Sequence, residues 1–266
     1  MRHICTSIVA TLVLAGTTLA ATINVPADYT TIQAAVDAAS NGDEILVAPG
    51  TYTGTGNVVV NTDGKAITLR ATGTPEETII HGDYARRVVQ CAGGEGPDTI
   101  IEGFTITGGS TATSGGGIYV GGSSPTITDC TISDNTAYFD GGGIYCSSSS
   151  SPAITDCTIS NNTATDRGGG IFCDISSVTV TVCTISGNTA WDGGGIYCND
   201  SNLTLVGCTI SDNTANDDGS GMVCYYSSPT IIDCTISGNT ANDKGGGIFC
   251  HNSSPTITDC TISGNT

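Results

Sequence analysis

Apolar and polar positions follow a pattern that repeats about every 26 residues over most of the chain. One copy reads SSPTIIDCTISGNTANDKGGGIFC over Ser227–Cys250, and the same wording begins again at Ser253. The Cys-Thr-Ile motif recurs at Cys130, Cys157, Cys183, Cys208, Cys234 and Cys260, in steps of 25 to 27 residues. A glycine landmark recurs in similar steps at Gly115, Gly141, Gly168, Gly193, Gly219 and Gly245. A fixed period of this length predicts a solenoid.

Thr, Ile, Val, Tyr and Phe dominate each copy between Gly, Asn, Ser and Pro, which predicts strands and turns. One copy suffices for a coil of three short strands. Apolar residues stand three places after each glycine landmark, three places before each Cys and two places after it. Because side chains alternate along a flat strand, this odd-and-even spacing predicts a bend at the Asp-Cys pair. Parallel strands with right-handed crossovers predict an all-β, right-handed parallel β-helix.

Four segments follow one another along the chain. The division is a signal peptide over 1–20, a cap with a first strand over 21–54, degenerate early coils over 55–98 and regular coils over 99–266. A basic start and an apolar run over Ile8–Leu19 predict the secretory signal, so the mature protein is expected to be secreted or at the cell surface. The last copy stops before its glycines, and we therefore expect the chain to be part of a longer protein.

The cap is expected to contain a short amphipathic helix over Ile32–Ala39. Thr30 or Thr31 can accept a hydrogen bond at its N-terminus, and a strand over Glu44–Val47 follows. Such a helix would cover the first open end of the β array, which otherwise exposes apolar side chains and unpaired edges.

The charge balance excludes several partners. The chain carries 7 Lys and Arg against 25 Asp and Glu, a formal charge of −18. Nucleic acids and anionic membranes require Lys and Arg, so neither is an expected partner. The apolar run of the signal is too short for a transmembrane helix, and no other stretch is long or apolar enough to span a bilayer. A monomer that binds a polysaccharide or a surface protein is the expected form.

The cysteines beyond the signal lie, apart from Cys91, in two columns. The second column is Cys146, Cys173, Cys198, Cys224 and Cys250. Both columns fall on the inward phase, where Cys behaves as a small apolar residue, and this predicts a buried thiol ladder. An exported protein can also oxidise its thiols, and adjacent coils lie within disulfide range, so bridges remain an alternative.

One aromatic column is expected to point outward to solvent. It follows the inward Ile of each copy and consists of Tyr119, Tyr145, Phe172, Tyr197 and Phe249, with Val223 as an interruption. Such a column predicts either a platform that stacks sugar rings or rings that stack on one another and stabilise the sheet.

Asp and Asn also recur once per copy. Asp140, Asp166, Asp192 and Asp218 precede the glycines, and stacked carboxylates predict either a Ca²⁺ site or a solvated acidic edge. A second Asp column, at Asp129, Asp156, Asp233 and Asp259, is interrupted by Val182 and Gly207. The column Asn135, Asn162, Asn188, Asn213, Asn239 and Asn265 predicts left-handed turns with stacked amides.

Two family resemblances add to this interpretation. The opening YTTIQAAVDAA from Tyr29, with DEILVAPGTY from Asp43, resembles the start of pectin-lyase-like right-handed β-helix proteins, pectin methylesterases among them. From Thr99 onward, Gly-Gly-Gly-Ile-Tyr-Cys and Ile-Ser-Gly-Asn-Thr-Ala resemble the repeats of polymorphic outer membrane proteins, which are secreted β-helix adhesins. The first resemblance implies a substrate groove on the sheet with the aromatic column, and the second implies adhesion.

The expected function is an exported, non-catalytic adhesin or stalk. Glycans or proteins would bind its outer sheet or the variable loops before the glycines, such as Tyr138-Phe139-Asp140 and Trp191-Asp192. The alternative is a polysaccharide lyase or glycoside hydrolase of the pectin-lyase-like superfamily. No catalytic residue is assigned, and the one mixed cluster that could hold chemistry is Lys65, Arg70, His81, Asp83, Arg86 and Arg87.

Overall fold

The computed structural model describes residues 20–266. The predicted signal peptide lies outside the described residues except for Ala20. The predicted capping helix is confirmed over Ile32–Ala38, and Thr31 is its N-cap, because its Oγ1 accepts a hydrogen bond from the Ala34 N–H at 3.2 Å. Its buried residues are Ile32, Ala35 and Val36. No helix among the described residues is long and apolar enough to cross a membrane.

The strands form four parallel sheets, named here sheets 1 to 4 in the order in which each regular coil visits them. Sheet 1 contains Thr22–Val25, Glu44–Val47, Thr68–Ala71, Ile100–Glu102, Thr126–Thr128, Ala153–Thr155, Thr179–Thr181, Thr204–Val206, Thr230–Ile232 and Thr256–Thr258. Sheet 2 contains Gly50–Tyr52, Thr78–His81, Thr105–Thr107, Thr131–Ser133, Thr158–Ser160, Thr184–Ser186, Thr209–Ser211, Thr235–Ser237 and Thr261–Ser263.

Sheets 3 and 4 begin later in the chain. Sheet 3 contains Ser110–Thr111, Thr136–Ala137, Thr163–Ala164, Thr189–Ala190, Thr214–Ala215 and Thr240–Ala241. Sheet 4 contains Val58–Asn61, Arg87–Cys91, Ile118–Gly121, Ile144–Ser147, Ile171–Asp174, Ile196–Asn199, Met222–Tyr225 and Ile248–His251. The expected three strands per coil were one too few, because each Thr-Ala pair forms a ladder of its own between sheets 2 and 4.

Equivalent residues pair in register from coil to coil. Ile144 pairs with Ile171 and Tyr145 with Phe172 in sheet 4, so like side chains form columns along the axis. The inward Ile and Cys columns are buried except in the last coil, where Cys250, Ile257 and Ile262 are exposed and Ile248 and Cys260 partly exposed. The cysteines of residues 20–266 are free thiols. Burial raises the pKa of the Cys91 thiol to about 12, so the inner thiols act as packing groups.

The predicted bend at the Asp-Cys pair is confirmed. The residue before each Cys of the Cys-Thr-Ile motif has a φ between 52° and 64°. These residues are Asp129, Asp156, Val182, Gly207, Asp233 and Asp259. Asp and Gly tolerate this left-handed conformation, whereas a β-branched residue is a steric outlier there. The second Asp column therefore follows a backbone requirement of the corner.

One of the two predictions for the Asn column is confirmed and the other is wrong. Stacked amides are confirmed, because Asn162 Nδ2 donates to Asn188 Oδ1 at 3.0 Å, and both side chains are fully buried. The left-handed conformation was assigned to the wrong residue. It belongs to the residue before each Asn, at Asp134, Asn161, Gly187, Asp212, Gly238 and Gly264. The Asn side chain is therefore free to turn inward and bond along the axis.

Replacing Val182 by Asn is expected to stabilise the protein by about 1 kcal/mol. Val182 has a φ of 54° and is 58% exposed, so the change relieves a strained backbone and sacrifices little apolar contact. The midpoint of urea unfolding measures the gain. The matched control is Asp156→Val at the same corner of another coil, which should lose a similar amount. An unchanged or lower midpoint for Val182→Asn would contradict the prediction.

Candidate functional site

The aromatic column forms a continuous stack on the outer face of sheet 4. The rings of Tyr119, Tyr145, Phe172 and Tyr197 lie 5.4 to 5.5 Å apart between centroids, with interplanar angles of 0° to 21°. They point away from the core, as predicted, yet Phe172 and Tyr197 are only 3% and 6% exposed. The predicted exposure is wrong for these two because each ring covers the faces of its neighbours. A sugar can therefore reach the ring edges of this stack but not the faces inside it.

A guanidinium group ends the stack on the N-terminal side. The Arg87 carbon Cζ lies 4.5 Å from the centroid of the Tyr119 ring. Arg87 also donates to the carbonyl oxygens of Ser114 at 2.7 Å and Gly115 at 3.0 Å. Burial lowers its pKa. These bonds fix Arg87 as a cation–π partner of the stack.

The mixed cluster of the sequence is dispersed over the early coils. Lys65 Nζ donates to two carbonyl oxygens at the C-terminal end of the helix, at 2.6 and 2.8 Å. Arg70 bridges Glu44 and Glu102 across sheet 1. These two residues thus have structural partners on separate faces of the solenoid.

His81, Asp83 and Arg86 of that cluster lie together around one turn. Arg86 donates to Asp83 Oδ2 at 2.8 Å and to the carbonyl oxygen of Gly54. His81 Nδ1 lies 3.3 Å from Asp83 Oδ1. This turn stands beside the first strands of sheet 4, at a distance along the axis from most of the aromatic stack.

The acidic column before the glycines has a different composition from the predicted one. Arg167 forms a parallel bridge with Asp192, which places Asp166 one residue out of register. The column in the structure is Ser114, Asp140, Arg167, Asp192, Asp218 and Lys244. Asp192 Oδ1 accepts the Asp218 N–H, and Asp218 Oδ1 accepts the Lys244 N–H, each at 3.1 Å. These carboxylates accept hydrogen bonds from the backbone of the next coil. Arg167 and Lys244 place two positive charges within the column.

The residues predicted as calcium ligands are spread over different coils. Among the described residues one carboxylate cluster has ligand atoms within 4.8 Å of one another, and it joins Asp218 to Asp217 and Asp243. Lys244 Nζ already lies 2.7 Å from Asp243 and 3.5 Å from Asp218. An ammonium group thus supplies the positive charge that Ca²⁺ would bring, and calcium binding stays a prediction.

Asp140 is an unusual carboxyl group beside the stack. Its Oδ1 is buried and has no hydrogen-bond partner. Burial, and then the charge of Asp166, raise the pKa of Asp140 to about 6. Burial, and then the charges of Asp174 and Asp140, raise the pKa of Tyr145 to about 12. Asp140 and Asp174, which lie in neighbouring coils, thus both raise the pKa of Tyr145.

Three exposed aromatic side chains lie in the loops before the glycines, on the side of the solenoid that carries sheet 4. Tyr138, Phe139 and Trp191 are 61%, 47% and 52% exposed, and together they are named here the loop ridge. The Asp166 N–H donates to the Phe139 carbonyl, and the Trp191 N–H donates to the Asp166 carbonyl. Phe139 and Trp191 therefore stand two coils apart, about 10 Å along the axis.

The sequence contained a signal for the loop ridge that the site assignment did not use. The equivalent loop positions of the other regular coils carry Ala, Thr, Asn or Asp, so large aromatic residues there depart from the repeat. The aromatic stack, in contrast, recurs from coil to coil.

Comparisons with known proteins agree with this architecture. The family model "Right handed beta helix region" matches residues 36–201 and 165–266. The chain belongs to the right-handed β-helix family. Among curated proteins, a cell surface glycoprotein of Methanothermus fervidus is 30% identical over 125 residues, which is 46% of this chain and 18% of that protein. The chain therefore matches less than a fifth of that relative's length.

One solved structure of the β-helix type shows the same fold. Pectin methylesterase from carrot superposes with a TM-score of 0.53 at 15% identity, covering 92% of this chain and 83% of that one. A pectate lyase gives a TM-score of 0.47 at 14% identity, covering 91% and 78%. At these identities the likeness extends to the fold alone. The resemblance to polymorphic outer membrane proteins stays a resemblance of repeat wording.

Asp140→Asn is expected to raise the stability of this β-helix at pH 7.5. The folded protein holds the Asp140 proton more tightly than the unfolded chain does, so its stability falls as pH rises from 3.8 to about 6. Asn keeps the shape and removes the buried charge. We expect thermal unfolding about 2 °C or more higher at pH 7.5, and little difference at pH 3.5.

Asp134→Asn, on an exposed corner, is the control for that experiment and should be neutral at both pH values. A melting difference between wild type and Asp140→Asn that is the same at pH 3.5 and 7.5 would contradict the assignment of the raised pKa.

Proposed function

We propose that this chain is an exported cell-surface β-helix that binds a glycan without transforming it. The observation that carries the proposal is the loop ridge, where Tyr138, Phe139 and Trp191 expose large aromatic surfaces beside sheet 4. Monomeric proteins rarely expose such groups together unless they bind a partner. A β-helix supplies a rigid scaffold for these loops, so the aromatic positions are set by the coil spacing.

The cellular location rests on two supports. The basic start and the apolar run over Ile8–Leu19 have the pattern of a secretory signal. The relative from Methanothermus fervidus is named a cell surface glycoprotein. Both agree with a place outside the cytoplasm, and the formal charge of −18 agrees with a partner other than nucleic acid.

The spacing of the loop ridge favours a polysaccharide as the ligand. Phe139 and Trp191 lie about 10 Å apart along the axis, so an extended chain laid along the coils can contact both. Aromatic side chains offer amphipathic surfaces at low cost in side-chain entropy, and they suit the apolar faces of sugar rings. Acidic residues surround the ridge, with Asp140, Asp166 and Asp192 beside it. We therefore propose a neutral glycan in preference to a uronate polymer.

Removal of two of the three ridge aromatics should abolish most of the binding. The variant Phe139→Ala with Trp191→Ala is expected to weaken binding at least about tenfold, since 1.4 kcal/mol corresponds to a factor of ten. Affinity electrophoresis against xylan, soluble β-glucan, mannan and polygalacturonate measures the change. Tyr29→Ala is the matched control, because Tyr29 is 38% exposed beside the capping helix, away from the ridge. Equal retardation of the double variant and wild type would overturn the proposal.

A second candidate function is glycoside hydrolysis, and one observation favours it. Asp140 has a pKa of about 6 and an unpartnered buried oxygen, and Asp174 acts on the same Tyr145 hydroxyl. A carboxyl group with a raised pKa and a second carboxyl group in the next coil form the kind of pair that general acid catalysis on a glycosidic bond uses. A lyase is less favoured, since Arg86 and Arg87 are held by backbone carbonyl oxygens.

The hydrolase candidate is tested by the release of reducing ends from the same four polysaccharides. We expect no release by wild type or by Asp140→Asn. Release by wild type that Asp140→Asn abolishes would establish catalysis, and it would overturn the non-catalytic part of the proposed function while the loop-ridge experiment still reports on binding.

A further inference from the structure

The aromatic stack is interrupted in one coil. Val223 occupies the column position between Tyr197 and Phe249, where the other regular coils carry a ring. A cavity of about 310 Å³ opens above it. Its lining residues are Asp192, Tyr197, Asp218, Val223, Tyr225, Lys244, Phe249 and His251. Val223 is 2% exposed and forms the closed floor.

The neighbouring outward column departs from the repeat in the same place. Two residues beyond the aromatic position, three consecutive regular coils carry the small side chains of Ser147, Asp174 and Asn199, and the next two carry Tyr225 and His251. The Tyr225 and His251 rings stack 4.7 Å apart with an interplanar angle of 10°. Copying of a repeat preserves its residues, so two coincident departures around one cavity indicate a specific requirement there.

We propose that this cavity binds a single pyranose ring of a neutral glycan, which lies against the Tyr197 and Phe249 rings at the coil where Val223 interrupts the stack. The inference rests on the proposed glycan binding and assigns it a defined subsite. Rings in the stack lie 5.4 to 5.5 Å apart, one per coil. Tyr197 and Phe249 are two coils apart, so a ring inserted between them keeps about the same spacing to each as the coils keep to one another.

The rim of the cavity offers the polar groups that sugar hydroxyls require. Asp192 and Asp218 supply carboxylate oxygens that accept hydrogen bonds, and the Lys244 ammonium group donates. Lys244 Nζ lies 3.5 Å from Asp218 Oδ1 and 5.8 Å from the Phe249 ring centroid. An apolar floor and walls with a few polar groups at the rim are typical of small-molecule sites.

The size of the cavity limits the ligand to one ring. Ligand pockets range from about 300 to 1,000 Å³, and this one is at the lower limit. The stack toward the N-terminus is closed by its own rings, so the remainder of a glycan chain has to leave the cavity toward the loops, where Trp191 is 52% exposed. The subsite and the loop ridge would thus hold successive parts of one chain.

Val223→Tyr tests the subsite by filling it. The substitution restores the residue that the other coils carry, so we expect a folded protein with a melting temperature at or above that of wild type. Saturation-transfer NMR and calorimetry measure the affinity for methyl β-glucoside and for N-acetylglucosamine, and this affinity should fall at least tenfold. Val223→Ala is the matched control, because it leaves the cavity open and should retain binding within about threefold.

Three outcomes would overturn the inference. Val223→Tyr could bind both sugars as wild type does. Val223→Tyr could unfold more easily while wild type binds neither sugar, which would mean that Tyr225 already fills the space above Val223. Wild type could also bind polysaccharide through the loop ridge with unchanged affinity in Val223→Tyr, and then the proposed function would stand without this subsite. Loss of polysaccharide binding in Phe139→Ala with Trp191→Ala, with monosaccharide binding intact, would support both.

Discussion

The buried Asn ladder between sheets 2 and 3 is the interaction on which the rest of the solenoid depends. Asn188 Nδ2 donates both to Asn213 Oδ1 at 3.0 Å and to the Ile159 carbonyl oxygen at 2.9 Å, and Asn213 Oδ1 also accepts the Asn188 N–H. Each amide is fully buried, so a slip of one residue would strand several polar groups at about 1 to 3 kcal/mol each. The ladder therefore fixes both the register of the coils and the tight corner before sheet 3.

A fixed register has a consequence for the search for function. Once like residues stack on like residues, a recurring side chain is explained by its own neighbours in the column, as the rings between Tyr119 and Tyr197 are. Interaction with a ligand has to come from positions where a column changes. Phe139, Trp191 and Val223 are such positions, and each lies on the same side of the solenoid as sheet 4.

Much of the fold could be predicted from spacing, because a period needs only identities of residues. The inward Ile and Cys columns and the bend at Asp129 followed from counting. Spacing could not decide which of two neighbouring small polar residues, Asp134 or Asn135, adopts the left-handed conformation, since both tolerate it. It also placed Asp166 in the acidic column, although Asp166 stands two residues before its glycine and Arg167 stands directly before it, as the pairing of Arg167 with Asp192 shows.

The candidate site was less predictable because exposure depends on what neighbouring coils contribute. Phe172 stands at an outward position, and its neighbours in the stack nevertheless reduce its exposure to 3%. The alternation of apolar and polar residues along one strand contains no information on the side chains of the next coil. Departures from the repeat do indicate exposed sites. They are visible in the sequence at Phe139, Trp191 and Val223, where the equivalent positions of other coils carry residues such as Thr, Asp and Tyr.

The electrostatics of this face favour one class among the glycans that we propose as ligands. Burial raises the pKa of both Asp140 and Asp192, which means that the surroundings of sheet 4 already disfavour the negative charges that they hold. A uronate chain would add one more carboxylate per ring, with only Arg167 and Lys244 to compensate on the regular coils. A neutral ring brings hydroxyl donors to the same carboxylates and relieves their desolvation. The proposed ligand is therefore a neutral glycan, because the carboxylates of Asp140 and Asp192 repel polyanions while the aromatic surfaces favour a partner with an apolar face.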